Sequence, residues 1–518
     1  MGVHKGKPIM KSIEQLRRDA KALKKAHEAG EVHARSRIAS IAPRPDGAVL
    51  KHSDYLHVIA RENSFASWPS LKLAVDMLGM DVAAKRQRLK IAVHEGQFKV
   101  VQQFLTDTPT LADGDLELEI ALYRREAVEA ALLSEPKRAV EMLGMASPLI
   151  HLAHSRMIKV WPERDADMLA IAELLLANGA DVNLGSPAHE GSDHQLSPLY
   201  FAIGHSDNMV LGRWLLEHGA NPNDNESLYH STELGHHDGL RMLLEHGADP
   251  RGTNAVLRAM DFHDLEAVQM LLDAGALADE FEAASVGGES PFVVPALHQA
   301  ARRMCGRDMI EKLLDSGADP SGLFEGCSAY AYARVFGNPA MAEALAARGC
   351  DATLTPDEAL LANAADGAPT GDATITFDRL ANGYQDIIRN ILHLPGKLDH
   401  VKRLVALGMH SDHPDGQGMI PVQLAGWEGL PEMMEFLLSQ KPDLNYINGY
   451  GGTLLSTIIH GSDNCPARAE RDYISCLRLA LSAGVGLQRW AMDMAGEEEV
   501  AAFLADWAKR HPDQFVEA

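Results

Sequence analysis

The chain repeats one short phrase, which reads Leu215-Leu216-Glu217-His218-Gly219-Ala220-Asn221-Pro222-Asn223 in its fullest copy. Further copies run from Leu175 to Asn183, Leu243 to Pro250, Leu271 to Ala276 and Leu313 to Pro320. Two leucines are typical of the buried face at the end of a helix, and glycine favours the left-handed conformation that ends it. Asp or Asn with Pro then opens a turn. The phrase therefore predicts the end of the second helix in a repeated unit.

The first helix of each unit is predicted from an apolar run that precedes the leucine pair. These runs begin at Ser147-Pro148-Leu149, Ser197-Pro198-Leu199 and Ile420-Pro421-Val422. Proline in the first turn starts a helix without removing a needed hydrogen-bond donor. Each unit is therefore predicted to contain a hairpin, a helix, a tight turn and a second helix.

This order of signals resembles the ankyrin-repeat consensus. The best single copy runs from Met419 to Gly429 and continues through Phe436-Leu437-Leu438 to Asn445. The resemblance covers about residues 88–505. It implies an all-α, ankyrin-type solenoid of stacked helix pairs, about ten units long, with short β-hairpin or loop fingers. The segment Phe65-Ala66-Ser67-Trp68-Pro69 also resembles the heads of bacterial ankyrin-repeat proteins, so we expect a bacterial protein.

The spacing of the terminal glycines predicts which fingers are short and which are long. Ankyrin repeats have a period of about 33 residues. The intervals Gly179–Gly219 and Gly275–Gly317 are longer than this period, whereas the two intervals between them, which meet at Gly247, are shorter. We therefore expect the two short units to lack most of their fingers, and residues 185–196 and 277–291 to form extended loops.

The same signals divide the chain into four predicted segments. Residues 1–82 form a basic N-terminal helical cap, with helices from Ile13 to Ala29, from Tyr55 to Glu62 and from Ser67 onward. Residues 83–350 are the first part of the repeat array, and 351–400 are a degenerate repeat or linker containing a helix pair around 356–394. Residues 401–518 are the second part, ending in a capping helix from Glu497 to Lys509.

Charge and composition restrict the class of partner. The first 100 residues carry a net charge of +9 and the remainder −33, giving the total of −24. The acidic body would repel phosphates, so we do not expect nucleic acid along it. The basic head could contact an acidic partner, the acidic body of its own chain or nucleic acid, and the sequence leaves these alternatives open. We find no apolar span long enough for a membrane, no secretory signal and no Cys-x-x-Cys pair, which favours a cytoplasmic protein with reduced thiols.

A row of polar or aromatic residues replaces a consensus leucine in the first helix of four successive units: His230, Arg258, Gln299 and Tyr332. Glu226 and Asn254 stand at the starts of the first two of these helices. One interpretation is a ligand-binding row on the concave side, and the other is hydrogen bonding to neighbouring loop carbonyls. Helices stack about 8–10 Å apart, so the row would extend over roughly 30 Å. That length suits an extended ligand better than a nucleophile and base in contact.

Trp427 and Glu428 are predicted at the end of an inner helix, where ankyrin repeats usually meet their partners. An exposed Trp there would be a strong candidate for a binding hot spot. The alternative is a Trp packed beneath the next finger. Both residues are included among the predicted binding residues.

No motif indicates catalysis, a metal ion or a cofactor. The histidines of 189–194 and 410–413 lie in predicted loops, where the helical spacing of metal-binding His-Glu-x-x-His motifs is absent. We therefore predict a non-enzymatic scaffold that binds a protein partner in the concave groove, without metal or cofactor. The alternative is a small-molecule ligand or an enzyme site around His230 and Arg258.

Overall fold

The computed structural model describes residues 11–41, 50, 52–65, 67–189, 191–279, 281 and 294–516. These residues form short helices joined by turns and loops, with a few two-residue strands. They divide into two compact units, residues 1–248 (unit 1) and 249–518 (unit 2). The fold is all-α, as predicted, and contains no closed sheet among the described residues.

Unit 1 contains fourteen α-helices within its described residues. They are α1 (Ile13–Glu28), α2 (Val32–Ile41), α3 (His52–Glu62), α4 (Trp68–Met77), α5 (Val82–His94), α6 (Phe98–Asp107), α7 (Leu116–Ala121), α8 (Arg125–Ser134), α9 (Pro148–His154), α10 (Asp165–Ala177), α11 (Pro198–Tyr200), α12 (Met209–Glu217), α13 (Ser227–Ser231) and α14 (Asp238–Glu245). A π-helical turn, Phe201–His205, continues α11. Strands β1 (Ser186–Pro187) and β2 (Gln195–Leu196) pair antiparallel.

Unit 2 contains sixteen α-helices in the part that the structure describes. They are α15 (Ala255–Asp261), α16 (Leu265–Asp273), α17 (Ala296–Arg302), α18 (Arg307–Asp315), α19 (Ala329–Phe336), α20 (Pro339–Ala347), α21 (Pro356–Asp366), α22 (Asn382–Gln385), α23 (Ile387–Ile391), α24 (Leu398–Ala406), α25 (Pro421–Trp427), α26 (Pro431–Ser439), α27 (Leu454–Asn464), α28 (Tyr473–Ser482), α29 (Arg489–Met494) and α30 (Glu498–Arg510). Strands β3 (Leu323–Phe324) and β4 (Cys327–Ser328) pair antiparallel, and β5 (Leu487–Gln488) pairs parallel with β6 (Phe515–Val516).

The predicted start and stop signals act where the sequence places them. The Ser147 and Ser197 hydroxyls accept hydrogen bonds from the backbone N–H groups of Ile150 and Tyr200, and so cap α9 and α11. The terminal glycines have left-handed backbone conformations, with φ of 91° at Gly219 and 98° at Gly317. A side chain would be strained there, so glycine ends these helices.

The helices of each unit form two packed rows. In unit 1 the inner row is α7, α9, α11 with its π turn, and α13, and the outer row is α8, α10, α12 and α14. In unit 2 the contacts run through α15, α17, α19 and α21 and through α25, α27 and α29 on the inner row. The first leucine of each repeated phrase, such as Leu215 or Leu271, is fully buried between the rows. Since helices this short are marginal alone, this burial stabilises them.

Helices occupy the positions predicted near both ends of the chain. The basic helix is α1, and Ser67 caps α4 by accepting a hydrogen bond from the Ser70 N–H. Helix α2 was not predicted. The C-terminal helix predicted from Glu497 to Lys509 is α30, which packs against α28 and α29.

The fingers vary as the glycine spacings predict. The long loop predicted at 185–196 carries the β1–β2 hairpin. Residues 220–226 and 248–254 stand where the fingers of the two short repeats would be. All of these residues are described, and they contain no strand. The second long loop, predicted at 277–291, lies largely outside the described residues.

Two expectations from composition bear on the environment of the chain. Among the described residues, no helix combines the length and the apolar character needed to cross a membrane. Cys305, Cys327, Cys350, Cys465 and Cys476 are all free thiols.

Candidate functional site

Glu226 and His230, the predicted binding residues of unit 1, lie in a cluster of facing charges. The Glu226 carboxylate is fully buried and lies 2.5 Å from Nε2 of His194 and 3.1 Å from Nε2 of His230. Nδ1 of His230 lies 3.2 Å from Glu233. Burial opposes the charged imidazole, but hydrogen bonds to Glu226 and Glu233 outweigh it and raise the pKa of His230 to about 9. The imidazolium and the carboxylates therefore stabilise one another.

Arg258 and Gln299 of unit 2 are brought together by a residue that sequence reasoning missed, Asp261. The Asp261 carboxylate lies 3.1 Å from Nη1 of Arg258 and accepts a hydrogen bond of 2.6 Å from the Gln299 side chain. Arg303 donates to the same carboxylate at 2.7 Å. Asn254, also a predicted binding residue, is buried and has a left-handed backbone at the start of α15. Gln299 is likewise buried, so this cluster is held together by contacts within the unit.

Tyr332, the last member of the predicted row, is fully buried in an aromatic cluster. Its ring centroid lies 4.8 Å from that of His298, 5.4 Å from Phe336 and 5.1 Å from Tyr384. Burial raises the pKa of its hydroxyl well above the usual range. Tyr332 therefore contributes to the core of unit 2, and only Arg258 and Gln299 of the row share a contact partner there.

Trp427 lines a cleft of unit 2 that has a volume of about 570 Å³. The cleft lies along four successive inner helices, α23, α25, α27 and α29, and the loops that precede α25 and α27. The lining side chains are mainly apolar, aromatic or amide-bearing: Arg389, Asp415, Gln417, Met419, Leu424, Trp427, Asn448, Tyr450, Ser456, Thr457, His460 and Met494. Tyr450 is 65% exposed and Met494 47% exposed, so aromatic and thioether groups meet solvent at this cleft.

Two equivalent loops shape one wall of the cleft. Asp415 and Asn448 lie one repeat apart in the sequence, and each accepts hydrogen bonds from backbone N–H groups two and four positions later. Asp415 is buried and pairs with Arg389 at 3.1 Å. Asn448 donates to the Thr457 hydroxyl at 3.3 Å. These bonds fix the loops without any regular strand in the described residues 410–419 and 443–452.

The floor of the cleft depends on close contact between α25 and α27. The Trp427 and His460 ring centroids lie 5.1 Å apart, with Trp427 half-buried and His460 exposed. A Cβ on Gly461 would lie only 2.3 Å from the Trp427 carbonyl oxygen, so glycine is required for this approach. Tyr473 donates a hydrogen bond of 3.0 Å to the same carbonyl. The backbone below Trp427 is therefore held from two sides.

Glu428, which neighbours Trp427 in sequence, makes different contacts. Its carboxylate lies 3.6 Å from Arg471 and accepts a weak hydrogen bond from the Cys465 thiol. Burial raises the pKa of Glu428, and Arg471 opposes that rise. Glu428 is not among the residues that line the cleft described above.

The other lining residues were missed by sequence reasoning, although part of the signal is present. Asp415-Gly416-Gln417-Gly418 and Asn448-Gly449-Tyr450-Gly451 are equivalent loops one repeat apart, which would have drawn attention to Tyr450. Arg389 and Met494 come from irregular segments outside the clear repeats. The repeat pattern could not place those two.

The comparison with family models agrees with the repeat interpretation of the central part of the sequence. Residues 163–254 match the family model described as ankyrin repeats (3 copies). No curated protein matches the chain. The solved ankyrin repeat domain of human ASB11 is 21% identical, with a TM-score of 0.34, and the match covers 47% of this chain and 100% of that one. The solved ankyrin repeat domain of Bcl-3 is 21% identical, with a TM-score of 0.33, and the match covers 45% of this chain and 99% of that one.

Proposed function

We propose, from the premise that residues 163–254 of this chain are ankyrin repeats, that the protein is a non-enzymatic scaffold that binds a protein partner. Ankyrin repeats are generally protein–protein interaction modules. We propose further that the partner binds in the cleft containing Trp427. This cleft is the observation that carries the proposal.

Its chemistry suits a peptide segment with an apolar or aromatic anchor. Trp, Tyr and Met are enriched at the centres of protein interfaces, and Trp and Tyr are enriched among hot spots. Trp427, Tyr450, Met419 and Met494 all line the cleft. Hydrogen-bonding groups for the peptide backbone stand beside them, on Gln417 and Ser456.

The two loops support the proposal because they are fixed in place. Asp415 and Asn448 hold the loop backbones through paired hydrogen bonds. Loops that are already fixed lose less conformational entropy when a partner binds. The predicted roles of Glu226, His230, Asn254, Arg258, Gln299, Tyr332 and Glu428 in binding stay predictions, and the proposed surface does not depend on them.

Peptides displayed on phage and selected against the full-length chain test this proposal. A selected peptide should bind at least about 10-fold more weakly to Trp427→Ala, since truncation of a hot spot costs about 2 kcal/mol or more. His460→Ala should also weaken binding of the peptide, because His460 lies beside Trp427 at the floor of the cleft. His460 is exposed, so its replacement should not disturb folding. Trp161→Ala, in unit 1, is the matched control and should bind as the wild type does.

Equal binding by Trp427→Ala and the wild type would contradict the proposal, provided that both show the same thermal unfolding. Selection of peptides that bind unit 1 alone would contradict it as well.

A small organic ligand in the same cleft is the second candidate. A volume of about 570 Å³ falls within the range of small-molecule sites, about 300–1,000 Å³. Native mass spectrometry of the purified chain would reveal a bound compound of defined mass, which Trp427→Ala should lose. We retain a cytoplasmic location as part of the scaffold proposal.

We also propose that residues 1–82 cover the flank of the first repeat, with array boundaries near 350 and 400. Support for the cover comes from α4, which packs against α6. The Gln103 side chain donates a hydrogen bond of 2.7 Å to the Ser70 carbonyl. An uncovered terminal repeat would expose apolar surface to solvent.

A further inference from the structure

Unit 1 brings together two histidines and a glutamate that are far apart in sequence. His94 is the last residue of α5, Glu117 lies in the first turn of α7, and His151 lies in the middle of α9. One nitrogen or oxygen atom from each lies within 4.8 Å of the others. His94 and His151 have ring centroids 5.7 Å apart and planes inclined by 24°.

The environment of His151 fixes which of its nitrogens carries a lone pair. The side chain is only 7% exposed, and Nε2 lies 2.8 Å from the Leu143 carbonyl oxygen. A carbonyl only accepts, so Nε2 carries a hydrogen, and the lone pair of the ring in its neutral form is on Nδ1. Among the described residues, this buried Nδ1 has no hydrogen-bond partner. It points toward Glu117 Oε1 at 3.7 Å.

In the neutral form of His151, Nδ1 and the facing Oε1 of Glu117 are both acceptors, and a positive species between them, either a proton or a metal ion, would stabilise the pair. The other carboxylate oxygen of Glu117 already accepts a hydrogen bond of 2.7 Å from Lys90. Lys90 is shared with Asp115 at 3.2 Å. Two carboxylates and one ammonium leave a net negative charge beside His151, which favours a bound cation.

His94 supplies the third donor atom of the cluster. Its Nε2 is also buried and has no hydrogen-bond partner in the described part of the chain. The His154 ring stacks on the His94 ring with centroids 4.4 Å apart and planes within 9°. His94 therefore offers a buried ring nitrogen without a protein partner, close to Glu117 and His151.

We infer that His94, Glu117 and His151 form a binding site for a divalent transition-metal ion of the Zn²⁺ class. Two imidazoles and a carboxylate are a donor set that Zn²⁺ accepts, with a fourth position left for water. The hydrogen bond from His151 to the Leu143 carbonyl is the outer contact typically found behind a metal-bound histidine. Ligand atoms around tetrahedral Zn²⁺ stand about 3.4 Å apart, so atoms that lie within 4.8 Å of one another would have to close by at most about 1.4 Å.

Metal titration of the full-length chain tests the inference. After dialysis against EDTA, Zn²⁺ should bind with a stoichiometry of one at this site, and Co²⁺ should give the visible absorption of a tetrahedral complex. Affinity should fall at least about 100-fold in His151→Ala and Glu117→Gln, since outer contacts alone change affinity about 10–100-fold. His246→Ala is the control, because that ring bonds to the Met242 carbonyl of its own helix.

Glu117→Gln preserves the side-chain volume, so it separates loss of a ligand from loss of the fold. Its thermal unfolding in EDTA should match that of the wild type. X-ray absorption of the zinc-loaded wild type should show imidazole and oxygen donors at about 2.0–2.2 Å. The inference is overturned if the wild type binds neither Zn²⁺ nor Co²⁺, if the folded Glu117→Gln binds Zn²⁺ as the wild type does, or if X-ray absorption shows no imidazole. A proton shared by His151 and Glu117 would then occupy the gap.

Discussion

The indole of Trp427 and the imidazole of His460 lie with ring centroids 5.1 Å apart and planes inclined by 46°. Trp427 ends α25, and His460 lies in α27, the inner helix of the next unit. The separation of the two residues in the sequence equals one ankyrin period, about 33 residues, so they occupy equivalent positions in consecutive units. Stacking of these two repeats within unit 2 thus joins the two side chains into the floor of a cleft that neither repeat forms alone.

Replacing Gly461 by alanine should disturb the contact between α25 and α27 at the floor of the cleft. The new Cβ would lie 2.3 Å from the Trp427 carbonyl oxygen and 2.8 Å from its Cα, so α25 and α27 must separate. We expect a loss of about 1–3 kcal/mol in the free energy of unfolding, the usual cost of overpacking. Urea denaturation measures it, and affinity for a cleft-selected peptide should fall in parallel.

Gly306→Ala is the matched control for this change. Gly306 has a φ of −73°, and an added Cβ there meets no described atom within 4 Å. A loss as large in Gly306→Ala as in Gly461→Ala would show that contact with Trp427 is not the cause.

Stability should depend on pH through His230. Its pKa is about 9 in the folded chain against 6.5 for the free group, so its contribution is fully present below pH 6.5 and is lost as pH rises through 9. This difference corresponds to about 3 kcal/mol. The urea midpoint of the wild type should therefore exceed that of His230→Gln at pH 6. The two midpoints should converge at pH 9.5. The same gap between the two proteins at both values would exclude His230 as the source.

Asp261→Asn should destabilise unit 2. The carboxylate is 11% exposed and receives Arg258, Gln299 and Arg303, so its charge is the centre of the cluster. Hydrogen bonds to charged groups contribute about 1.5–3 kcal/mol each, and we expect a loss of at least about 2 kcal/mol by urea denaturation. Asp238→Asn, at a carboxylate that is 68% exposed, should change stability by less than about 1 kcal/mol. Equal losses would contradict this account.

Leu271→Ala should cost about 2–5 kcal/mol, because it removes a fully buried side chain between two helix rows. Leu277→Ala makes the same chemical change at a side chain that is 59% exposed. Its effect should stay within about 0.5 kcal/mol. Chemical denaturation of both variants compares them directly, and similar losses would mean that the leucine phrase does not mark the core.

The sequence was sufficient for the repeated elements because their signals are local. Ser197 caps the helix that follows it, and the glycine of each phrase ends the helix before it, through contacts within a few residues. Trp427 was correctly placed at the end of its inner helix for the same reason, since its place in the helix follows from the repeat, and its role in binding stays a prediction. Tyr332 was predicted beside Arg258 and Gln299, but its aromatic neighbours place it in the core.

The sequence by itself therefore determined the helix pairs, their turns and the buried leucines, because backbone capping and helical periodicity act over a few residues. Only the tertiary structure decided which polar side chains meet. Asp261 joins Arg258 to Gln299. His94, Glu117 and His151 come together from three separate helices, α5, α7 and α9. Irregular insertions change the spacing between units, so these contacts follow from the packing of helices and have no fixed interval in the sequence.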